Sequence, residues 1–74
     1  MEGVLQMNTL HIYIRDEETD EVLRQYDIQT DHIVQSIISI ERDDVSEFEY
    51  LDYAVTDPIG HDITSAFVLE VEGR

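Results

Sequence analysis

Polar and apolar residues alternate along the first part of the chain with the period of half-buried β-strands. In residues 7–15 the alternation sets Leu10, Ile12 and Ile14 on one face. A polar break follows, and residues 22–28 then resume a weaker alternation. The pattern predicts two strands joined as a hairpin, with the acidic break as its turn.

Residues 30–37 change to a helical spacing, in which Ile33 and Ile37 are one turn apart. Thr30 precedes them and is expected to cap the first free backbone N–H groups of a short helix. Because β-branched residues are frequent here and limit helix length, the helix is expected to give way to a strand near residues 38–42.

Two further strands are predicted in the second half. Residues 47–56 are rich in aromatic side chains. Residues 63–72 alternate most regularly and would set Glu70 and Glu72 on one face, ~6.6 Å apart. A loop with proline and glycine, residues 57–62, separates them. The order β-β-α-β-β-β predicts an α+β fold, a small antiparallel sheet with one short helix, and the alternative is an all-β meander.

The length of 74 residues and an apolar content of 42% predict a single folded domain, residues 1–74. Residues 1–6 are expected to form a disordered extension. A core of this size contributes roughly 3–5 kcal/mol without disulfides or metals. Because the chain has no cysteine for a disulfide, self-association is the remaining common way to stabilise so small a core, and we expect a homodimer.

Charge is the most unusual feature of the composition. The chain has 18 acidic residues, four arginines, no lysine and a formal net charge of −14. Such a surface is repelled by anionic membranes and by nucleic-acid phosphates, so neither is expected as a direct partner. The absence of cysteine, of a basic leader and of an apolar run of ~20 residues leads us to expect a cytoplasmic protein.

The carboxylates concentrate in two clusters. The first acidic cluster, in the predicted hairpin turn, consists of Asp16, Glu17, Glu18, Asp20 and Glu21. The second acidic cluster consists of Glu41, Asp43, Asp44, Glu47, Glu49 and Asp52. One cluster alone fits a solvated turn. Two clusters without any lysine predict a surface that binds a basic partner, because ordinary surfaces mix both signs of charge.

The aromatic side chains beside the second acidic cluster are Phe48, Tyr50 and Tyr53. Aromatic residues favour interfaces, so these three are candidates to anchor the partner or the dimer seam. For Phe48 we expect packing in the core instead.

Signatures of catalysis are missing from the sequence. It has no glycine-rich phosphate loop, no nucleophile elbow and no paired-histidine zinc motif. His11, His32 and His61 fall in three different predicted elements. His61 and Asp62 together would supply only two metal ligands, so an ordinary loop is favoured. We therefore expect no enzymatic activity, no cofactor and no bound metal.

The charge density is comparable with that of DNA. A compact domain of this length is roughly 29 Å wide, which gives about one net charge per 2 Å against ~1.7 Å along duplex DNA. In size, in lysine-free acidity and in the runs 16–21 and 41–47, the chain resembles the phage-encoded DNA-mimic proteins. These share no sequence motif, so no residue role carries over by position.

The resemblance implies an inhibitor that fills the basic DNA-binding surface of a host protein, such as the bacterial nucleoid protein HU, and competes with DNA. It also implies the host bacterial cytoplasm as the location. Two alternatives stay open on the sequence. One is a small acidic domain adapted to high salt, and the other is an acidic subunit or antitoxin that docks on a basic partner.

Overall fold

The computed structural model of the chain describes residues 7–73. Its elements, in chain order, are β1 (Asn8–Asp16), β2 (Val22–Thr30), α1 (Ile33–Asp44), β3 (Glu49–Thr56) and α2 (Ser65–Glu72). The predicted α+β class with a small antiparallel sheet is confirmed, and the all-β meander is wrong. The extension predicted for residues 1–6 lies outside the described residues.

Three of the four strands predicted in the first 56 residues are present, and β1 lies between the other two in the order β2-β1-β3. Both neighbours pair antiparallel with β1. Leu10, Ile12 and Ile14 of β1 are fully buried. The alternation that predicts this strand therefore also identifies the centre of the core, because a central strand buries one complete face.

Helix α1 is longer than predicted, and the strand expected at residues 38–42 is wrong. Because β2 and β3 both run antiparallel to β1, they are parallel to each other, and parallel strands need a long crossover connection. The 12 residues of α1 provide it. Ile33 and Ile37 are buried and Ile40 packs against the core, so the helical spacing continues through the segment predicted as a strand.

The predicted cap of α1 is also wrong. Thr30 is the last residue of β2, and its hydroxyl accepts a hydrogen bond from the backbone N–H of His32 (2.9 Å). His32 occupies the N-cap position and makes no side-chain cap bond. Thr30 therefore shapes the turn between strand and helix, as Ser and Thr commonly do.

Most of the regular alternation of residues 63–72 lies in a helix, α2, which begins at Ser65, and the predicted last strand is wrong. Ile63, Phe67 and Val71 are four residues apart, so they share a face both in a strand and in a helix. Val71 is buried and the other two pack against the core. Leu69 would face the core in a strand, yet it is 82% exposed. Neither described helix is both long and apolar enough to cross a membrane.

Candidate partner-binding surface

Pairing of the strands places the two acidic clusters at the same end of the sheet. Asp16, the last residue of β1, lies opposite Glu49, the first residue of β3. Beyond this pair, the backbone N–H of Glu17 donates to the carbonyl of Phe48 (3.1 Å). The hairpin turn, which holds the first acidic cluster, is thus joined to the segment that holds part of the second.

The C-terminal end of α1 completes this arrangement. The Arg24 guanidinium, on β2, donates to the carbonyl oxygen of Asp44 (3.0 Å) and pairs with the Glu49 carboxylate. One side chain therefore ties β2, the end of α1 and the start of β3 together. We call the region formed by both clusters the acidic end; it contains Asp16, Glu17, Glu18, Asp20, Glu21, Glu41, Asp43, Asp44, Glu47, Glu49 and Asp52.

The three arginines of the described chain all lie within the acidic end and neutralise part of it. Arg15, Arg24 and Arg42 pair with Asp52 (3.4 Å), Glu49 and Asp43 (3.7 Å), respectively. These ion pairs hold the three carboxylates against their own chain. They are therefore less suited to contact a partner than the sequence alone indicates.

Asp16 has a structural role in the hairpin turn. Its carboxylate accepts hydrogen bonds from the backbone N–H groups of Glu18 (2.8 Å) and Thr19 (3.0 Å). These bonds, that of Thr19 first, lower the pKa of Asp16 below its ordinary value because they favour the charged form. Asp20 takes a positive φ of 63°, which Asp tolerates in a tight turn.

The carboxylates that remain for a partner are exposed, and none forms an ion pair with an arginine of residues 7–73. They are Glu17, Glu18, Asp20, Glu21 and Glu47, whereas Glu41 and Asp44 are half-buried. Four of them belong to the hairpin turn and the fifth to the loop before β3. The structure thus reduces the predicted surface to a smaller group at the tip of the acidic end.

Phe48 lies within this group and is 71% exposed, so the prediction that it packs in the core is wrong. β3 begins only after it, at Glu49, and the turn that precedes the strand carries the ring outward. Phe48 and the hairpin turn line an open depression together with Asp16, Glu17, Glu18 and Thr19. The sequence signal for an exposed ring is the acidic residue on either side of it.

The other aromatic candidates lie farther along β3. Tyr50 is 39% exposed and lies opposite Arg15 in the sheet. Tyr53 packs against the core. Burial raises the pKa of Tyr53, and the nearby carboxylates of Glu72 and Asp52 raise it further. Phe48 is therefore the aromatic residue best placed for contact with a partner.

The carboxylates outside the acidic end are arranged differently. Glu70 and Glu72 belong to a helix, where residues two apart do not share a face, so their predicted alignment is wrong.

The described histidines also lie outside the acidic end, and each has an aspartate neighbour. The pairs are His11–Asp27 (2.8 Å), His32–Asp31 (3.3 Å) and His61–Asp57 (3.6 Å).

His11 has two side-chain partners. Its Nδ1 atom is 2.8 Å from an Asp27 carboxylate oxygen, and its Nε2 atom is 3.1 Å from the Thr56 hydroxyl. The order carboxylate, imidazole, hydroxyl is that of a hydrolytic triad. The three residues come from β2, β1 and β3, and none of them lines the depression beside Phe48 or either of the two depressions that border α1. The arrangement is accounted for as a polar link across the sheet.

The loop of residues 57–62 is held by its own carboxylates. Asp57 accepts hydrogen bonds from the backbone N–H groups of Ile59 (3.0 Å) and His61 (2.8 Å). The Thr64 hydroxyl and then its backbone N–H lower the pKa of Asp62 by donating to it. Within residues 7–73, no group of three or more potential ligands is arranged to hold a metal ion.

Comparison with protein-family models gives no match for this chain. Comparisons with curated proteins and with solved structures also give none.

Proposed function

We propose that the chain is a DNA-mimic inhibitor, whose acidic end occupies the basic DNA-binding surface of another protein and competes there with DNA. The target is a protein that binds the phosphate backbone with lysine and arginine, and the nucleoid protein HU is the first candidate. Catalysis has no part in this function. Binding alone would block the target, because the same basic side chains cannot contact phosphates and carboxylates together.

The observation that carries the proposal is the union of the two acidic clusters. They are separated in the sequence, yet the Asp16–Glu49 pair and the Glu17–Phe48 hydrogen bond bring them into one region. A region in which carboxylates outnumber arginines attracts an oppositely charged cleft more strongly than the same carboxylates scattered singly would. Evenly spread carboxylates would have given no reason to prefer one surface.

The dimensions of the molecule change the comparison with DNA. Its longest dimension is 48 Å, well above the width expected for a compact domain. One carboxylate and one arginine lie outside the described residues, which therefore keep the net charge of −14. The mean density is about one net charge per 3.4 Å, close to that of a single DNA strand and about half that of a duplex.

Phe48 adds a contact that phosphates lack. An arginine or lysine of the target that enters the depression would meet the carboxylates of Glu17 and Glu18 beside the aromatic ring. Cations are attracted to the faces of aromatic rings as well as to carboxylates. The same basic side chain would therefore be held by charge and by the ring, and this favours a protein over free counterions.

The test is displacement of a fluorescent DNA duplex from purified HU by the full chain. We expect displacement at low salt. The affinity of the chain for HU should fall steeply as NaCl increases, because binding releases counterions from the two charged surfaces. Reversing Glu17, Glu18 and Glu47 to lysine should weaken displacement by at least about a hundredfold, since close charge pairs across interfaces contribute about 1.5 kcal/mol or more each.

The matched control reverses Asp31, Glu70 and Glu72 to lysine. It changes the net charge equally but leaves the acidic end intact. Equal losses in both variants would show that only total charge matters. If HU keeps its DNA, a low-salt pull-down from bacterial lysate identifies other DNA-binding targets. Recovery of no DNA-binding protein would reject the mimic function.

Adaptation to high salt is the second candidate, and one observation favours it. The carboxylates outside the acidic end are spread over the rest of the described chain: Asp27, Asp31, Asp57, Asp62, Glu70 and Glu72. A general need for acidity would distribute charge in this way. This candidate predicts a chain that unfolds without molar salt, whereas the mimic function requires a folded chain at low salt.

A further inference from the structure

The outer edge of β2 has no partner among residues 7–73. β2 pairs with β1 on one side, and no other described backbone group bonds to it. Edge strands expose unpaired N–H and C=O groups, which readily pair with another strand. β2 has nine residues, longer than the usual strand of 5–6 residues, and contains neither the lysine nor the proline that commonly protects such an edge.

The other edge strand, β3, is partly covered by its own chain. The backbone N–H of Val55 donates to the Thr64 hydroxyl (2.9 Å), and the N–H of Ile63 donates to the Val55 carbonyl (2.8 Å). An isolated bridge also joins Thr56 to Asp62. Residues 7–73 therefore protect the β3 edge of the sheet and leave the β2 edge open.

Charge also distinguishes β2 from most of the surface. Its only charged residues are Arg24 and Asp27, so the strand has no net charge although the chain carries −14. A groove between β2 and α1 also has no carboxylate in its lining, which consists of Ile28, Thr30, His32, Gln35, Ser36, Ser39 and Ile40. The two other described depressions both contain carboxylates.

We propose that β2 pairs with β2 of a second copy, in antiparallel orientation, to form a continuous six-stranded sheet. The small core leads us to expect a homodimer, but the sequence does not indicate which surface forms its interface. The open edge and the lack of net charge on β2 assign the interface to this strand. A second copy is the occupant because an uncharged edge is where two chains of the same high charge can approach. This inference does not depend on the proposed inhibitory function.

The antiparallel orientation also separates the acidic ends. The acidic end lies beside Val22, at the start of β2, and the uncharged groove lies beside Thr30, at its end. Antiparallel pairing sets Val22 of each copy near Thr30 of the other. The two acidic ends are then about 30 Å apart along the strands, several Debye lengths at physiological salt. Exposed Val22 and Leu23 lie beside the partner's groove.

The test is sedimentation equilibrium of the full chain between about 5 and 500 µM in 0.5 M NaCl, which screens repulsion. We expect a mass twice that of the 8.6 kDa chain. Replacing both Leu23 and Gln29 with lysine should raise the dimer dissociation constant at least about tenfold, because residue 23 of each copy lies opposite residue 29 of the other and like charges then face each other across the seam. The two lysines make the net charge of each copy less negative, so a weaker association cannot come from general repulsion between the copies.

The matched control replaces Ser65 and Leu69, both exposed on α2, with lysine, and should dimerise at least as well as the unmodified chain. Circular dichroism checks that both variants are folded. A chain that stays monomeric throughout the range, or equal weakening in the two variants, overturns the proposal.

Two further measurements locate the interface and its occupant. Hydrogen exchange should show increasing protection of β2 amides as the protein concentration rises, and protection confined to α2 or β3 would overturn the proposal. A chain without residues 1–6 should keep the same dissociation constant. If their removal abolishes the dimer, that segment supplies the contact and the β2 seam is wrong.

Discussion

Carboxylates that are neighbours in the acidic end have different physical roles. Asp16 accepts two backbone hydrogen bonds and shapes the hairpin turn. Glu18 is exposed in the same turn and contributes charge. The sequence places both residues in one cluster without separating these roles, because the distinction depends on which oxygen atoms meet backbone N–H groups.

We predict that Asp16→Ala lowers the melting temperature at pH 7. The folded-state pKa of Asp16 is lowered by the N–H groups of Thr19 and Glu18, so it lies below the value in the unfolded chain. The associated stability is present above about pH 4, the ordinary pKa of an aspartate, and is lost as pH falls through the folded-state pKa. Thermal melts of both proteins from pH 7 to pH 2 should therefore converge at low pH.

Glu18→Ala is the control for this prediction. It removes one negative charge from the same turn but no turn hydrogen bond, so the melting temperature should stay the same or rise slightly as repulsion decreases. If the two substitutions lower the melting temperature equally, the role assigned to the Asp16 carboxylate is wrong.

At the scale of elements, α2 shows how one pattern can predict two structures. Ile63, Phe67 and Val71 fit both the period of a strand and that of a helix. The residues between them decide, and Leu69 points to solvent. A second physical reason is the edge of β3, where Ile63 and Thr64 already bond to Val55 and the chain then turns into the helix.

We predict that Val71→Ala lowers the free energy of unfolding by about 2 kcal/mol, whereas Leu69→Ala changes it by less than about 0.5 kcal/mol. Val71 is buried against the core, and removal of its methyl groups leaves a cavity; Leu69 loses only exposed surface. Urea denaturation measures both values. Similar losses would indicate that the two side chains share a buried face, as in the strand that the alternation predicts.

In helix α1, too, the tertiary structure overrides the local preference of the sequence. Its β-branched residues favour a strand locally, yet the sheet order requires a crossover between the parallel strands β2 and β3. The length of that crossover and the burial of Ile33 and Ile37 override local propensity. The need for this crossover cannot be predicted from the local sequence, because it depends on which strands pair with β1.

At the scale of the whole molecule, the net charge opposes folding. A charge of −14 on a small domain creates self-repulsion, and the arginine pairs relieve only part of it. The described core contains seven buried hydrophobic residues, so little stabilisation is available to offset repulsion. The conditions that screen charge should therefore govern the stability of this protein.

We predict that raising NaCl from about 10 mM to 0.5 M increases the melting temperature by several degrees, as the Debye length shrinks from about 30 Å to below 10 Å. Differential scanning calorimetry measures the change. A variant with glutamine at Glu17, Glu18 and Glu21 carries less charge and should show a smaller increase. Salt-independent stability would contradict the prediction, and unfolding at 10 mM would favour adaptation to high salt.

The amino-acid sequence by itself determined the hairpin, the third strand, the α+β class and the residues that could make an acidic surface. Alternating burial and charge composition are local properties, readable without knowing what pairs with what. Only the tertiary structure decided that both acidic clusters meet at one end, that Phe48 is exposed there, and that residues 38–42 and 65–72 are helical. These outcomes depend on the order and register of the strands, which bring residues distant in the chain into contact.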